Sequence, residues 1–181
     1  MDSAGGRRFD RVVGSHLRTR EDETVMPCAG TAIGGVFAIE VRSRGEAGGE
    51  GDGSAGAFGR IVIGDFTETF VVPLGFWGEA DYRASWRRAF EVLEGDPRAV
   101  ACLMTSMTDP VTSNFLVCWP LYREGEDVYV QNAIVLLDEI EGRFDPGAPW
   151  GSVEPRRRMD DDGNRVSEWA TSMGSLREFF G

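Results

Sequence analysis

Asp160, Asp162 and Asn164 stand at the spacing that opens a calcium-binding loop, where alternate side-chain oxygens converge on a hard cation. The sixth position is Arg165 where such a loop turns on glycine, and the twelfth is Thr171 where it needs a bidentate glutamate. The run therefore reads as a solvated hairpin turn with Asp162-Gly163 at its tip. Gly51-x-Gly53-x-x-Gly56 matches a dinucleotide fingerprint on paper, but no strand feeds it and no helix opens after it. Asp65 with Glu68, or Glu79 with Asp81, could flank a cleft for acid–base work. A chain with 30 acids supplies such pairs by chance, and no partner nucleophile stands near them. No catalytic, cofactor-binding or metal-ligating residue is assigned.

What is missing narrows the chemistry further. The chain contains no lysine, so all 19 cations are arginines, and Schiff-base and phosphate-loop lysines are excluded. The lone His16 lies in a polar N-terminal stretch, so Ser–His, Cys–His and histidine-rich zinc chemistry lose their usual supplier. Cys28, Cys102 and Cys118 are odd in number and lack metal spacing, which fits a reducing compartment. With no long apolar run for a signal peptide or a membrane span, the cytoplasm is expected.

The formal charge is −11 over 181 residues and is unevenly placed. Residues 1–60 carry 9 acids against 8 arginines, whereas residues 61–181 carry 21 against 11. Such a field repels phosphate backbones, so direct nucleic-acid binding is not expected. It would draw in a basic protein surface. Arg156-Arg157-Arg158 is flanked by Glu154 and Asp160–Asp162 and should be compensated internally.

These residues need elements to hold them. Glu79–Glu94 is the clearest helix, with Tyr82, Trp86, Ala89, Phe90 and Leu93 on one stripe. Glu79 and Asp81 suit its first turn, Gly95 ends it, and Asp96-Pro97 prevents continuation. Strands are expected over Ile33–Arg42, Arg60–Gly64 and Thr67–Leu74, then Ala99–Met107, Asn114–Tyr122 and Val128–Leu137. The nearly all-apolar Ala99–Met107 should be central. Pro120 argues for an edge or an irregularity in its strand. Glu124–Asp127 should form a hairpin loop, and a short helix should close the chain from Ser172 to Phe180. Cys102, Cys118 and the tryptophans are expected in the core. Residues 1–32 read as a mobile leader, 33–181 as one domain, 43–57 as a glycine-rich loop, and the compact body as starting near Phe58. The fold class is α+β, an antiparallel sheet packed against one main amphipathic helix.

From Phe58 onward the chain resembles the immunity proteins of bacterial contact-dependent growth inhibition systems. The resemblance runs through Ile63-Gly-Asp-Phe66, Leu74-Gly-Phe-Trp77, Asp81-Tyr-Arg, Trp86, Thr105-Ser-Met-Thr-Asp-Pro110 and Asn114-Phe115. It continues with Trp119-Pro-Leu-Tyr122, Tyr129-Val-Gln-Asn132, Phe144-Asp-Pro146, Pro149-Trp150, Asp161-Asp-Gly163 and Val166-Ser-Glu-Trp169. It implies a cytoplasmic inhibitor, not an enzyme, that binds the C-terminal domain of one cognate toxin and blocks it. A basic nuclease would suit the acidic charge. Because they gather at expected loops around one sheet, Asp65, Glu68, Glu124, Glu126, Asp127, Asp160, Asp161 and Asp162 are expected to face the toxin. The alternative is an acidic secretion chaperone or adaptor, which would hold an effector without inhibiting it.

Overall fold

The computed structural model describes residues 35–43 and 56–181. The expected leader, and residues 44–55 of the expected glycine loop, lie outside the described residues. A first antiparallel sheet is built from β1 (Phe37–Ser43), β2 (Gly56–Ile63) and β3 (Phe66–Pro73), in that order. One face alternates inward: Phe37, Ile39, Val41, Ile61, Ile63 and Val72 are buried, and their neighbours along each strand are not. Packing thus begins at Phe37 rather than at Phe58, because the whole of β1 pairs with β2. Gly56 and Ala57, expected in the loop, are already paired with β3.

Helix α1 (Glu79–Gly95) forms where its stripe is, and Tyr82, Trp86, Ala89, Phe90 and Leu93 are all buried. Burial of each large side chain contributes about 1.5–3 kcal/mol before conformational entropy is subtracted. The Asp81 carboxylate accepts from the Gly78 N–H at 2.9 Å, closing the first turn. Two polar tips tie the helix to its surroundings. The Trp86 indole donates to the Met104 carbonyl at 2.8 Å, beside the bulge between Met104 and Ser106. The Tyr82 hydroxyl donates to the Pro73 carbonyl at 3.0 Å and accepts from the Met107 N–H at 2.9 Å.

The second sheet runs β4 (Val100–Ser106), β5 (Phe115–Glu124), β6 (Asp127–Gln131) and β8 (Glu168–Ser172), with β7 (Ala133–Leu136) also paired to β5. Two sheets therefore replace the single one expected, and β8 was not foreseen. Strand β4 is covered on both faces as its apolar run suggested, but it is hydrogen-bonded to β5 alone. Its cover comes from packed layers instead of a second strand. Helix α1 lies against it, and so does the 3₁₀ turn at Pro149–Ser152. Pro120 marks an irregularity in a central strand. Toward β4 it lies opposite Cys102, whereas β7 pairs as far as Cys118 and β6 only from Leu121. Helix α2 (Met173–Phe180) closes the described chain, capped by the Ser172 hydroxyl accepting from the Ser175 N–H at 3.1 Å.

Candidate functional site

The eight acids expected to face a partner are spread over three turns and strand β3. Asp65 is exposed in the two-residue turn between β2 and β3, next to Phe66. Glu68 is not in a loop; it lies within β3 opposite Ile61 and is half-buried. Glu124 and Asp127 pair at the end of the β5–β6 hairpin, whose turn is Gly125-Glu126 with Gly125 at φ +69°. Asp160–Asp162 form the expected separate hairpin, closed by the Met159–Arg165 bridge. There Asp160 accepts from the backbone N–H groups of Asn164 at 2.7 Å and Asp162 at 3.0 Å, and these bonds hold its carboxyl below the usual range.

Arginines neutralise much of this charge, and of the Arg156–Arg158 run Arg157 meets the flanking acids expected for it. Arg156 spans Glu124 at 2.6 Å and Glu168 at 2.6 Å. Its guanidinium carbon lies 3.4 Å from the centre of the Tyr129 ring, so this ion pair is also a stacked one. The Gln131 side-chain amide donates a hydrogen bond to the Glu168 carboxylate at 2.8 Å. Burial opposes charge on Glu168, but Arg156 and Gln131 outweigh it and hold the carboxyl below its ordinary value. Arg157 pairs with Glu154 and Asp161, and Glu126 pairs with Arg123 and with Arg177. Asp65, Asp127 and Asp162 make no ion pair among the described residues.

A depression of about 740 Å³ opens between Pro97–Val100, the end of β5 and Pro155–Arg156. Its lining contains one carboxylate, Glu124, already held by Arg156. That arrangement offers no pair of acids for general acid–base work. The Cys102 and Cys118 thiols are buried and free, as expected of core residues. The neighbouring Cys118 and burial push the Cys102 thiol well up, which makes it a poor nucleophile. Of the tryptophans, Trp77, Trp86 and Trp119 are buried, while Trp150 and Trp169 pack half-buried against the core.

A second surface has no acid at its centre. Phe115 faces Leu136 across β5 and β7, and Val117 faces Ile134. All four point to the sheet face opposite that of the buried Leu116, Cys118 and Val135. Phe115 is 51% exposed, and Val117, Ile134 and Leu136 are half-buried outside the core cluster. An antiparallel sheet with a solvated face ordinarily places polar residues there. The residues expected from the sequence to face a partner were all acids, and this strip was missed. Its signal was that β7 is apolar at every position, so both of its faces need cover.

With this geometry in place, comparison with known proteins gives a consistent result. The model of the CdiI N-terminal domain family matches residues 72–179, from the end of β3 through α2. This chain belongs to the CdiI immunity-protein family. The immunity protein CdiI of Enterobacter cloacae subsp. cloacae is 38% identical over 121 residues, which is 66% of this chain and 81% of that protein. A solved CdiA-CT/CdiI toxin and immunity complex from Enterobacter cloacae contains a chain with the same fold. Its TM-score is 0.69 at 35% identity, covering 80% of this chain and 96% of that one. The chain itself has the expected α+β class, with antiparallel sheets, one main helix and a short C-terminal helix. No helix among the described residues is long and apolar enough to cross a membrane.

Proposed function

We propose that this chain is a cytoplasmic immunity protein that binds the C-terminal toxin domain of a contact-dependent inhibition system and neutralises it by covering its active site. One observation carries the reading: the chain matches nearly the whole length of the CdiI-like chain in a solved toxin–immunity complex. Its role is inhibition by binding, not catalysis. The net charge of −11 suits a basic toxin domain, such as a nuclease whose phosphate groove an acidic surface can enter.

The acids read from the sequence contribute mainly by steering. Glu124 and Glu126 are committed to arginines, so their net field is small, whereas Asp65, Asp127 and Asp162 add uncompensated charge. Long-range attraction of this kind raises the association rate more than it slows dissociation. The test is rescue: cells expressing the toxin domain encoded beside this chain should survive when the chain is co-expressed and die without it. Death in both cultures refutes the reading.

A further inference from the structure

We infer that the toxin domain is anchored on the apolar strip of β5 and β7, Phe115, Val117, Ile134 and Leu136; this rests on the immunity reading above. The strip is formed by two directly opposed cross-strand pairs, so its four side chains make one contiguous patch. It continues along β5 into Trp119, whose ring is 5.9 Å from that of Phe66, and there the core covers it. Beyond Val117 that cover ends, and exposure rises to 51% at Phe115 and 77% at Val111 in the preceding turn.

Charge at the rim identifies the occupant. Asp109 closes the turn before β5, accepting from the Val111 N–H at 2.9 Å. Across the ladder, the Leu137 N–H donates to the Asn114 carbonyl at 3.0 Å, bringing Asp138 beside the same end of the strip. Neither Asp109 nor Asp138 makes an ion pair among the described residues. An apolar centre inside an acidic rim fits a partner that presents an apolar side chain flanked by arginine or lysine. A basic toxin domain has that chemistry. A second copy of this acidic chain would set like charges rim to rim, which costs affinity. The β5–β6 hairpin is the poorer anchor because Glu124 and Glu126 already hold Arg156, Arg123 and Arg177.

The test measures binding of the full chain to the toxin domain encoded beside it, by surface-immobilised kinetics and light scattering. Phe115→Ala should weaken binding about 30-fold or more, almost wholly through faster dissociation, and Leu136→Asn should act in the same direction. Glu91→Gln, on the exposed side of α1, serves as the surface control. Both strip variants should keep the wild-type melting temperature within about 3 °C, since Phe115 is half in solvent. Affinities within threefold of wild type for both variants overturn the proposal while leaving the immunity reading intact. So does a wild-type dimer that Phe115→Ala dissociates with toxin affinity unchanged. A wild-type chain that binds no toxin domain refutes the immunity reading itself.

Discussion

The Arg123 guanidinium donates to the carbonyl of Leu93, at 2.5 Å, and so closes the C-terminus of α1 from a strand of the second sheet. The same side chain reaches the Glu94 carbonyl at 3.3 Å and the Gly125 carbonyl at 2.6 Å. The last turn of α1 contains no basic residue of its own. A cation at this position satisfies carbonyls that the helix leaves unpaired and complements its negative end. Arg177 completes the junction by bridging Glu94 and Glu126, at 3.0 Å each.

Arg123→Met keeps much of the stem while removing the guanidinium's bonds to Leu93, Glu94 and Gly125. It should cost about 2–4 kcal/mol, read as a lower urea midpoint at unchanged m-value. A loss below about 0.5 kcal/mol would show that the helix end does not depend on the arginine.

Tyr82→Phe tests the other end of α1. The ring stays, but the Pro73 carbonyl and the buried Met107 N–H each lose a partner. The expected loss is about 1–3 kcal/mol in chemical denaturation. Burial pushes the Tyr82 hydroxyl up to about 12, so it should remain un-ionised in an ultraviolet titration to pH 11.

Glu168 gives a pH signature. Its folded pKa lies below the ordinary 4.5, so its share of stability is present above that value and lost as pH falls through the folded one. Stability of the wild type should therefore exceed that of Glu168→Gln at pH 7. The gap should narrow as pH drops below 4.5, measured as the difference between urea midpoints. A gap that stays constant from pH 7 to about 3 would mean that Arg156 does not hold the carboxylate.

Asp65→Asn, Asp127→Asn and Asp162→Asn together remove charge without touching a described ion pair. At low salt the association rate with the toxin domain should fall about tenfold, and its salt dependence should flatten, with dissociation little changed. An unchanged association rate at low ionic strength would remove steering from the account.

Legibility followed the range of the interactions. Helix α1 could be read from the chain because its stripe, first-turn acids and stop signal are all local, and the Ser172–Phe180 helix was placed within a residue of α2. Strand β8 could not be read, because Glu-Trp-Ala-Thr-Ser carries no clear alternation and is made a strand by β6. The single expected sheet became two for the same reason: which strands pair is decided between distant segments. β4 looked central because burial on both faces leaves the same apolar signature whether strands or other layers provide it. Among candidate site residues, the acids were visible as types, but their arginine partners distant in sequence were not. Glu168 meets Arg156 from 12 residues away, and Arg123 reaches Leu93 across 30. The strip of β5 and β7 required knowing which faces the core leaves open.

The most direct measurement titrates purified toxin domain, encoded beside this chain, with the full chain while following the toxin's own activity. Activity should fall linearly and reach zero at one equivalent, with one-to-one complex seen by light scattering. A stable complex that keeps full toxin activity would contradict the account and point to a chaperone that carries an effector without inhibiting it.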